Sequence, residues 1–370
     1  MSKEVKILDP YTSPHVKQID LFAWNKFEKI PVEPALQLTF EQQQKGLLLE
    51  TEELLDGLQW KGNVLDLFYQ FMYERQNIWH KRFILEQPAP WTEDPVLLQY
   101  KFTNVMRKID RGTICLYRNI FSRLDGSERM EKLVLFNILA YRFLNKVESW
   151  EKCITFIYDW DKEKAHFVKS LNAMQKKEAV FTAAHMVPPL HGIPGDTKIE
   201  KLSVLLSEIW DDLDNYYSII KNADNLKAVY KQIHSVRWFG RFLSYEMAVD
   251  LSYTDIIPYN EDEWTSSGPG SIRGINNMLH VIPSVKAETH PLYTAILVHL
   301  RNIQKEKFEE LDLPFEKISY GGSYLTLRDI EHSTCEFLKY YRTLMGTGRC
   351  KEKFVPKSVE AHIVAGMRGV

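Results

Sequence analysis

The stretch VLDLFYQFMYERQNIWHKRFIL, residues 64–85, decides the fold class. Its apolar residues recur at helical spacing, with Arg75, His80, Lys81 and Arg82 interspersed, so it reads as one long amphipathic helix. A break at Pro88-Ala-Pro-Trp-Thr-Glu-Asp-Pro95 follows. There Asp94 is placed to cap a second helix and Pro95 to open it. The same periodicity predicts helices over about 95–119, 131–147, 150–158, 165–186, 200–222, 226–250, 271–280, 291–311 and 326–345. Strand signals are scarce, and the expected class is all-α.

At 370 residues the chain exceeds the usual single-core size. The expected division is an irregular appendage over 1–60, helical parts over 61–190 and 196–350, and a basic tail over 351–370. The linker between the helical parts is Pro188-Pro-Leu-His-Gly-Ile-Pro-Gly195. With 45% hydrophobic, 12% aromatic and 26% charged residues, the composition is that of an ordered protein. No run approaches 18 apolar residues and the first residues lack the apolar centre of a signal peptide, so a cytoplasmic location is expected. Cys115, Cys153, Cys335 and Cys350 are scattered, which suits free thiols in a reducing compartment. A net charge of −2 offers no global field for a polyanion, so any nucleic-acid contact must come from local patches.

Three local patterns carry chemistry. Lys101 to Arg111 holds four cations and one acid. As a helix it aligns Asn104, Arg107 and Arg111 on one face, either a solvated face pairing with Asp110 or a cationic wall for phosphates shared with Arg75 and Arg82. Gly268-Pro-Gly270-Ser271, followed by Ile272-Arg273-Gly274, has the form of a helix-hairpin-helix element. Its small residues admit a backbone phosphate to the amides of a helix N-terminus, and Arg273 adds charge; the other reading is an ordinary interhelical turn. Upstream, the run from Phe239 to Leu251 resembles the helix before the hairpin of base-excision glycosylases, which extrude a base to reach it, although the iron–sulfur cysteines of some glycosylases are missing.

The third pattern begins at the capping box Thr326-Leu-Arg-Asp329. On the helix that follows, Leu327, Ile330, Phe337, Leu338 and Tyr341 share one side, and Arg328, Glu331, His332, Cys335, Lys339 and Arg342 share the other. That second side is either a solvated face or an active-site face with groups to move protons and hold anionic oxygen. A zinc site on His332, Cys335 and Cys350 matches no standard spacing, and no metal is expected. Arg349, Lys351, Lys353 and Lys357 form a basic tail, suited to a nucleic-acid backbone or simply to solubility.

Taken in order, the blocks Pro90-Trp-Thr-x-Asp-Pro with Phe102-x-Asn-Val-x-Arg-x-x-Asp-Arg111, Tyr245-x-x-x-x-Asp-Leu with Gly268-Pro-Gly-Ser-x-Arg-Gly274, and Glu331-His-x-x-Cys-Glu-Phe-x-Lys-Tyr-x-Arg342 resemble the alpha-glutamyl/putrescinyl thymine pyrophosphorylase family. That group overlaps the helical domain found with hydroxymethyluracil DNA kinases and includes amino-acid:DNA transferases of bacteriophages. The resemblance covers about residues 64–350. Two positions depart from the pattern: Glu246 stands where relatives carry an amide, and Ser333-Thr334 replaces a more apolar pair.

The resemblance implies a glycosylase-like helical fold and hypermodification of thymine in double-stranded DNA, in a phage-infected or bacterial cytoplasm. A kinase pyrophosphorylates hydroxymethyluracil, and a member of this family replaces pyrophosphate with an amine such as an amino acid or polyamine. No Gly-x-x-x-x-Gly-Lys-Ser/Thr loop is present, so this chain is not expected to be the kinase, and no cofactor is implied. Neutralising pyrophosphate falls to Arg75, Arg107, Arg111 and Arg342, with Asn104, Asp110, Tyr245, Glu336 and Lys339 in the same substrate site. The proton acceptor is Asp250, Glu331 or His332; Cys335 either adds transiently to the ring or packs. A base-excising enzyme and a non-catalytic binder of modified DNA are the alternatives.

Overall fold

Helix starts in this chain are set by side chains that accept the first free amides. Asp94, Ser127, Asp159, Thr197, Asn225 and Thr326 each accept an N–H of the first turn, and Thr197 and Thr326 do so in reciprocal capping boxes with Glu200 and Asp329. The structure, a computed structural model, describes residues 55, 57–183, 187–281, 291–348 and 350–355. Its helices in chain order are α1 (Val64–Trp79), α2 (Pro95–Gln99), α3 (Arg111–Asn119), α4 (Glu128–Leu144), α5 (Val147–Cys153), α6 (Trp160–Gln175), α7 (Lys198–Asp211) and α8 (Leu213–Lys221). They continue with α9 (Leu226–Ser235), α10 (Arg241–Ser252), α11 (Pro269–Met278), α12 (Pro291–Asn302), α13 (Gln304–Glu310), α14 (Phe315–Ile318) and α15 (Leu327–Leu344). Among the described residues no strand forms, only isolated bridges between Trp60 and Leu279 and between Tyr100 and Lys353. The fold is all-α, and no described helix is long and apolar enough to cross a membrane.

The helices divide between two compact units, one formed by residues 110–264 and the other by the segments before 110 and after 264. In the first, α4 is buried continuously from Leu133 to Leu144, as expected of a helix that is apolar on every side. Phe136 packs on Trp160 and Trp210, Tyr141 on Trp150, and Phe143 on Phe239. Asn137, buried in the middle of α4, satisfies both ends of its amide: it donates to the carbonyls of Leu133 and Ile157 and accepts the Ile157 amide. The proline-rich stretch 188–195, expected to link two domains, lies inside this unit, with Leu190 and Ile193 buried in it.

In the second unit α1, α12 and α15 enclose the core. Phe68 and Phe71 of α1 meet Phe337 and Tyr340 of α15, and Tyr69 meets Phe308. α11 lies closely along α15. A Cβ at Gly274 would stand 2.2 Å from the Thr334 carbonyl oxygen, and one at Gly270 would stand 2.4 Å from the Cys335 sulfur. Only glycine fits either place.

Four expected helices are broken: 200–222 divides at Asp212 into α7 and α8, 291–311 divides at Ile303 into α12 and α13, and two others break more deeply. The run 95–119 becomes α2, an irregular segment with a 3₁₀ turn at Arg107–Ile109, and α3, because polar groups of 101–109 are bonded elsewhere and Asp110 caps a fresh helix at Gly112. Asn104, Arg107 and Arg111 therefore share no helix face. The run 226–250 is divided by a five-residue turn, 236–240, between α9 and α10. The turn before α11 is no tight hairpin, since the preceding helix ends at Ser252. Residues 1–54, Arg349 and 356–370, which include most of the expected appendage and tail, lie outside the described residues.

Overpacking at a rigid backbone contact costs on the order of 1–3 kcal/mol. Gly274→Ala is therefore expected to lower the midpoint of thermal unfolding measurably, because the obstructing atom is a backbone oxygen. Gly240→Ala, with no neighbour within 4 Å of the added methyl, is expected to leave it unchanged.

Candidate functional site

The polar side of α15 and the segment 101–109 build one cluster within the second unit. Asp329 Oδ1 accepts the backbone N–H of Arg107 at 2.7 Å while its Oδ2 accepts that of Thr326, so one carboxylate both caps α15 and fixes Arg107. Glu336 accepts the Thr103 N–H at 3.3 Å and the Lys339 ammonium at 2.5 Å. Arg75, reaching from α1, donates to the Phe102 carbonyl and to Asn104 Oδ1, and Asn104 donates in turn to the Ile109 carbonyl. The irregular segment is thus held from two helices.

His332 stands in the middle. Its Nε2 lies 2.7 Å from the Thr103 hydroxyl. Burial, and then the positive charges of Arg107, Arg328 and Lys339, hold its pKa well below the ordinary histidine value, so the ring is neutral at pH 7. A neutral imidazole beside three cations is chemically unusual, since it can accept a proton where the surrounding field attracts anions.

Glu331 is buried and committed. Its Oε2 accepts from Arg328 at 2.9 Å and its Oε1 from the Gly268 N–H at 3.2 Å, so it ties α15 to the start of α11. The Gly268 amide, expected to meet a DNA phosphate, meets this carboxylate. Gly270 and Gly274 face α15, and Ser271 bonds Thr334 through their hydroxyls. Arg273 alone of this group is exposed. Cys335 fills the space above Gly270, and burial pushes its thiol up to about 11, which leaves little thiolate for nucleophilic work at neutral pH. Arg342 is exposed and bonded to the Thr347 carbonyl, about 15 Å along the helix from His332 at the standard rise.

The remaining expected residues belong to the first unit. Asp110 caps α3, and Arg111 is exposed and paired with Glu148 at 2.6 Å. Tyr245 is buried, with its ring edge against Trp264. Asp250 has no exposed surface and grips Arg142 through both oxygens at 2.5 Å, while Glu246 meets the same guanidinium at 3.1 Å. This is a structural ion cluster rather than a basic group open to substrate. Arg142 was not among the expected residues, although a lone arginine in the apolar run of α4 was a signal for a buried partner.

A family model described as 5-hmdU DNA kinase, helical domain, matches residues 62–349. The chain belongs to this family. A relative, the 5-hmdU DNA kinase of Bacillus phage SP10, is 30% identical over 294 residues, which are 75% of this chain and 44% of the relative. The chain thus spans less than half the length of that relative. No solved structure matches it. Sequence reading placed Arg328 on the polar face and Asp329 in a cap but overlooked Thr103, which meets His332, because no local spacing links 103 to 332.

Removing one partner from a buried ion cluster typically costs about 3–5 kcal/mol. Arg142→Met is expected to cost that much in urea unfolding, by stranding Asp250 and Glu246. Asp250→Asn is expected to destabilise as well, and retained stability in both variants would return Asp250 to the list of proton acceptors.

Proposed function

We propose that this chain modifies hydroxymethyluracil-derived bases in DNA, exchanging pyrophosphate on the base methylene for an amine. The relative is named for action on 5-hmdU in DNA, which supports the substrate class. The observation that carries the reaction is the neutral His332 beside Arg107, Arg328 and Lys339. Expelling pyrophosphate requires cations around its oxygens, and an attacking amine must surrender a proton.

In the proposed step the amine nitrogen attacks the methylene carbon. The C–N bond forms as the C–O bond breaks, and the electron pair leaves on pyrophosphate. His332 takes the proton of the resulting ammonium. Arg107 and Lys339 receive the pyrophosphate charge with Arg273 at the rim; Arg75, Asn104, Asp329 and Glu336 hold these groups in place, and Glu331 holds α11. Cys335 packs and forms no covalent intermediate.

For the DNA backbone we place the contact at the α9–α10 turn. Arg237, Arg241 and Phe242 are exposed there, and Gly240 has no packing neighbour that requires glycine. The turn has the helix-turn-helix form that 268–274 lacks, and it offers charge, an aromatic ring and a close backbone approach together.

Incubation with DNA carrying pyrophosphorylated hydroxymethyluracil and a panel of amines is expected to release pyrophosphate and yield a new nucleoside by mass spectrometry. Release of a free base with an abasic site would make the chain a glycosylase instead, and a gel shift without either product would make it a binder. Arg107→Ala is expected to lower turnover about 10²–10³-fold, as loss of a charge-stabilising donor does, with an unchanged circular-dichroism spectrum. Arg241→Ala is expected to weaken DNA binding and to reduce the slope of log affinity against log salt by about 0.9, one phosphate contact. An unchanged slope would remove the turn from the DNA interface.

A further inference from the structure

We propose that Phe242 enters the base stack of bound duplex DNA: carried by the α9–α10 turn, its ring wedges between neighbouring base pairs and opens the step from which a base is freed. The inference rests on reading that turn as the DNA contact.

The charge around the ring fits a polyanion. Residues 225–245 contain Lys227, Lys231, Arg237 and Arg241 and no aspartate or glutamate, in a chain whose net charge is −2. All four cations are exposed, and His234 with them. Lys227, Lys231 and His234 follow one another at i, i+4 and i+7 along one face of α9, which leads the row of charge to the turn. The next acid in the chain, Glu246, is buried against Arg142. Phe242 is 43% exposed on the first turn of α10, beside Arg241 and just past the end of that row. A ring left in water on a cationic surface gains by stacking on a base, and the cations around it bind the phosphates that bring the base there.

The ring is also mounted rigidly, as a wedge has to be, because parting two stacked base pairs costs free energy that a yielding loop cannot supply. Phe239 is buried edge-on against Phe143, with ring centroids 5.0 Å apart. Its carbonyl oxygen accepts from His234 Nδ1 at 2.8 Å and from the Ser244 hydroxyl at 3.3 Å, so both helices grip the turn. Trp238 is held at φ 74°, a left-handed conformation that bulky side chains seldom adopt. Arg237 lies over its ring at 5.6 Å while donating to the Gly192 carbonyl at 3.5 Å. A backbone conformation of that kind persists only where its surroundings fix it.

The test uses the full chain and a duplex with one hydroxymethyluracil·adenine pair, carrying 2-aminopurine on either side of that pair in turn. Binding and 2-aminopurine fluorescence, which rises when the base loses its stacking partners, are titrated at several salt concentrations for wild type, Phe242→Ala, Phe242→Trp and Arg241→Ala. Wild type is expected to raise the fluorescence severalfold at saturation from one of the two positions. Phe242→Ala is expected to bind roughly tenfold more weakly, the loss of one aromatic stack, with the wild-type salt slope and without the rise. Phe242→Trp is expected to restore the rise. A rise as large with saturating Phe242→Ala, or none with wild type, overturns insertion while the turn stands as a DNA contact on the Arg241 slope. Binding that Arg241→Ala leaves unchanged in affinity and slope overturns the turn as the contact, and insertion with it. Should Phe242→Ala lose its helical circular-dichroism spectrum, Phe242→Gln decides in its place.

Discussion

The close approach of α11 to α15 is the constraint on which the rest of the second unit depends. Gly274 lies against the Thr334 carbonyl and Gly270 against Cys335, so the backbones come nearer than any side chain would permit. That proximity brings the Gly268 amide to Glu331 and covers the side of α15 that sequence periodicity marks as polar. A partly covered polar face has to satisfy its own groups: Glu331 accepts from Arg328 within α15 and from the Gly268 amide across the seam, and Ser271 and Thr334 bond each other across it. His332, at the margin of the same seam, loses enough water to stay neutral.

The acidic residues of the cluster act chiefly as fasteners. Asp329 and Glu336 hold backbone amides of 101–109, and Asp94 caps α2 while accepting the Tyr340 hydroxyl at 2.6 Å. The blocks that carry the family resemblance therefore meet one another in space: Pro90–Pro95 and Phe102–Arg107 both end on α15. Much of that signature describes how an irregular segment is secured to a helix.

Legibility followed range. α1 and α15 were readable because periodicity and capping are local properties, and Thr326 with Asp329 states the start of α15 within four residues. The continuity of 95–119 was misjudged because its backbone and side-chain groups bond residues more than 220 positions away, as in Thr103 with His332 and Arg107 with Asp329. Gly270 and Gly274 were recognised as unusual but assigned to a phosphate, since sequence cannot say which surface a glycine lets approach. Asp250 was placed in the site because an acid at the end of a motif invites that reading, whereas its partner Arg142 lies 108 residues upstream. Of the candidate site, the α15 residues and Arg107 could be read, and the commitments of their carboxylates could not.

The core of the second unit joins segments on either side of residues 110–264. During synthesis, α1 and α2 emerge from the ribosome long before α11, α12 and α15, and their apolar faces have no native cover in the meantime. The intervening unit is complete first and can fold while the earlier segment waits, as domains generally do in order of emergence. The nascent chain thus carries this helix pair through the translation of more than 150 residues, and α1, with Phe68, Phe71 and Trp79, gains its native cover only when α15 emerges.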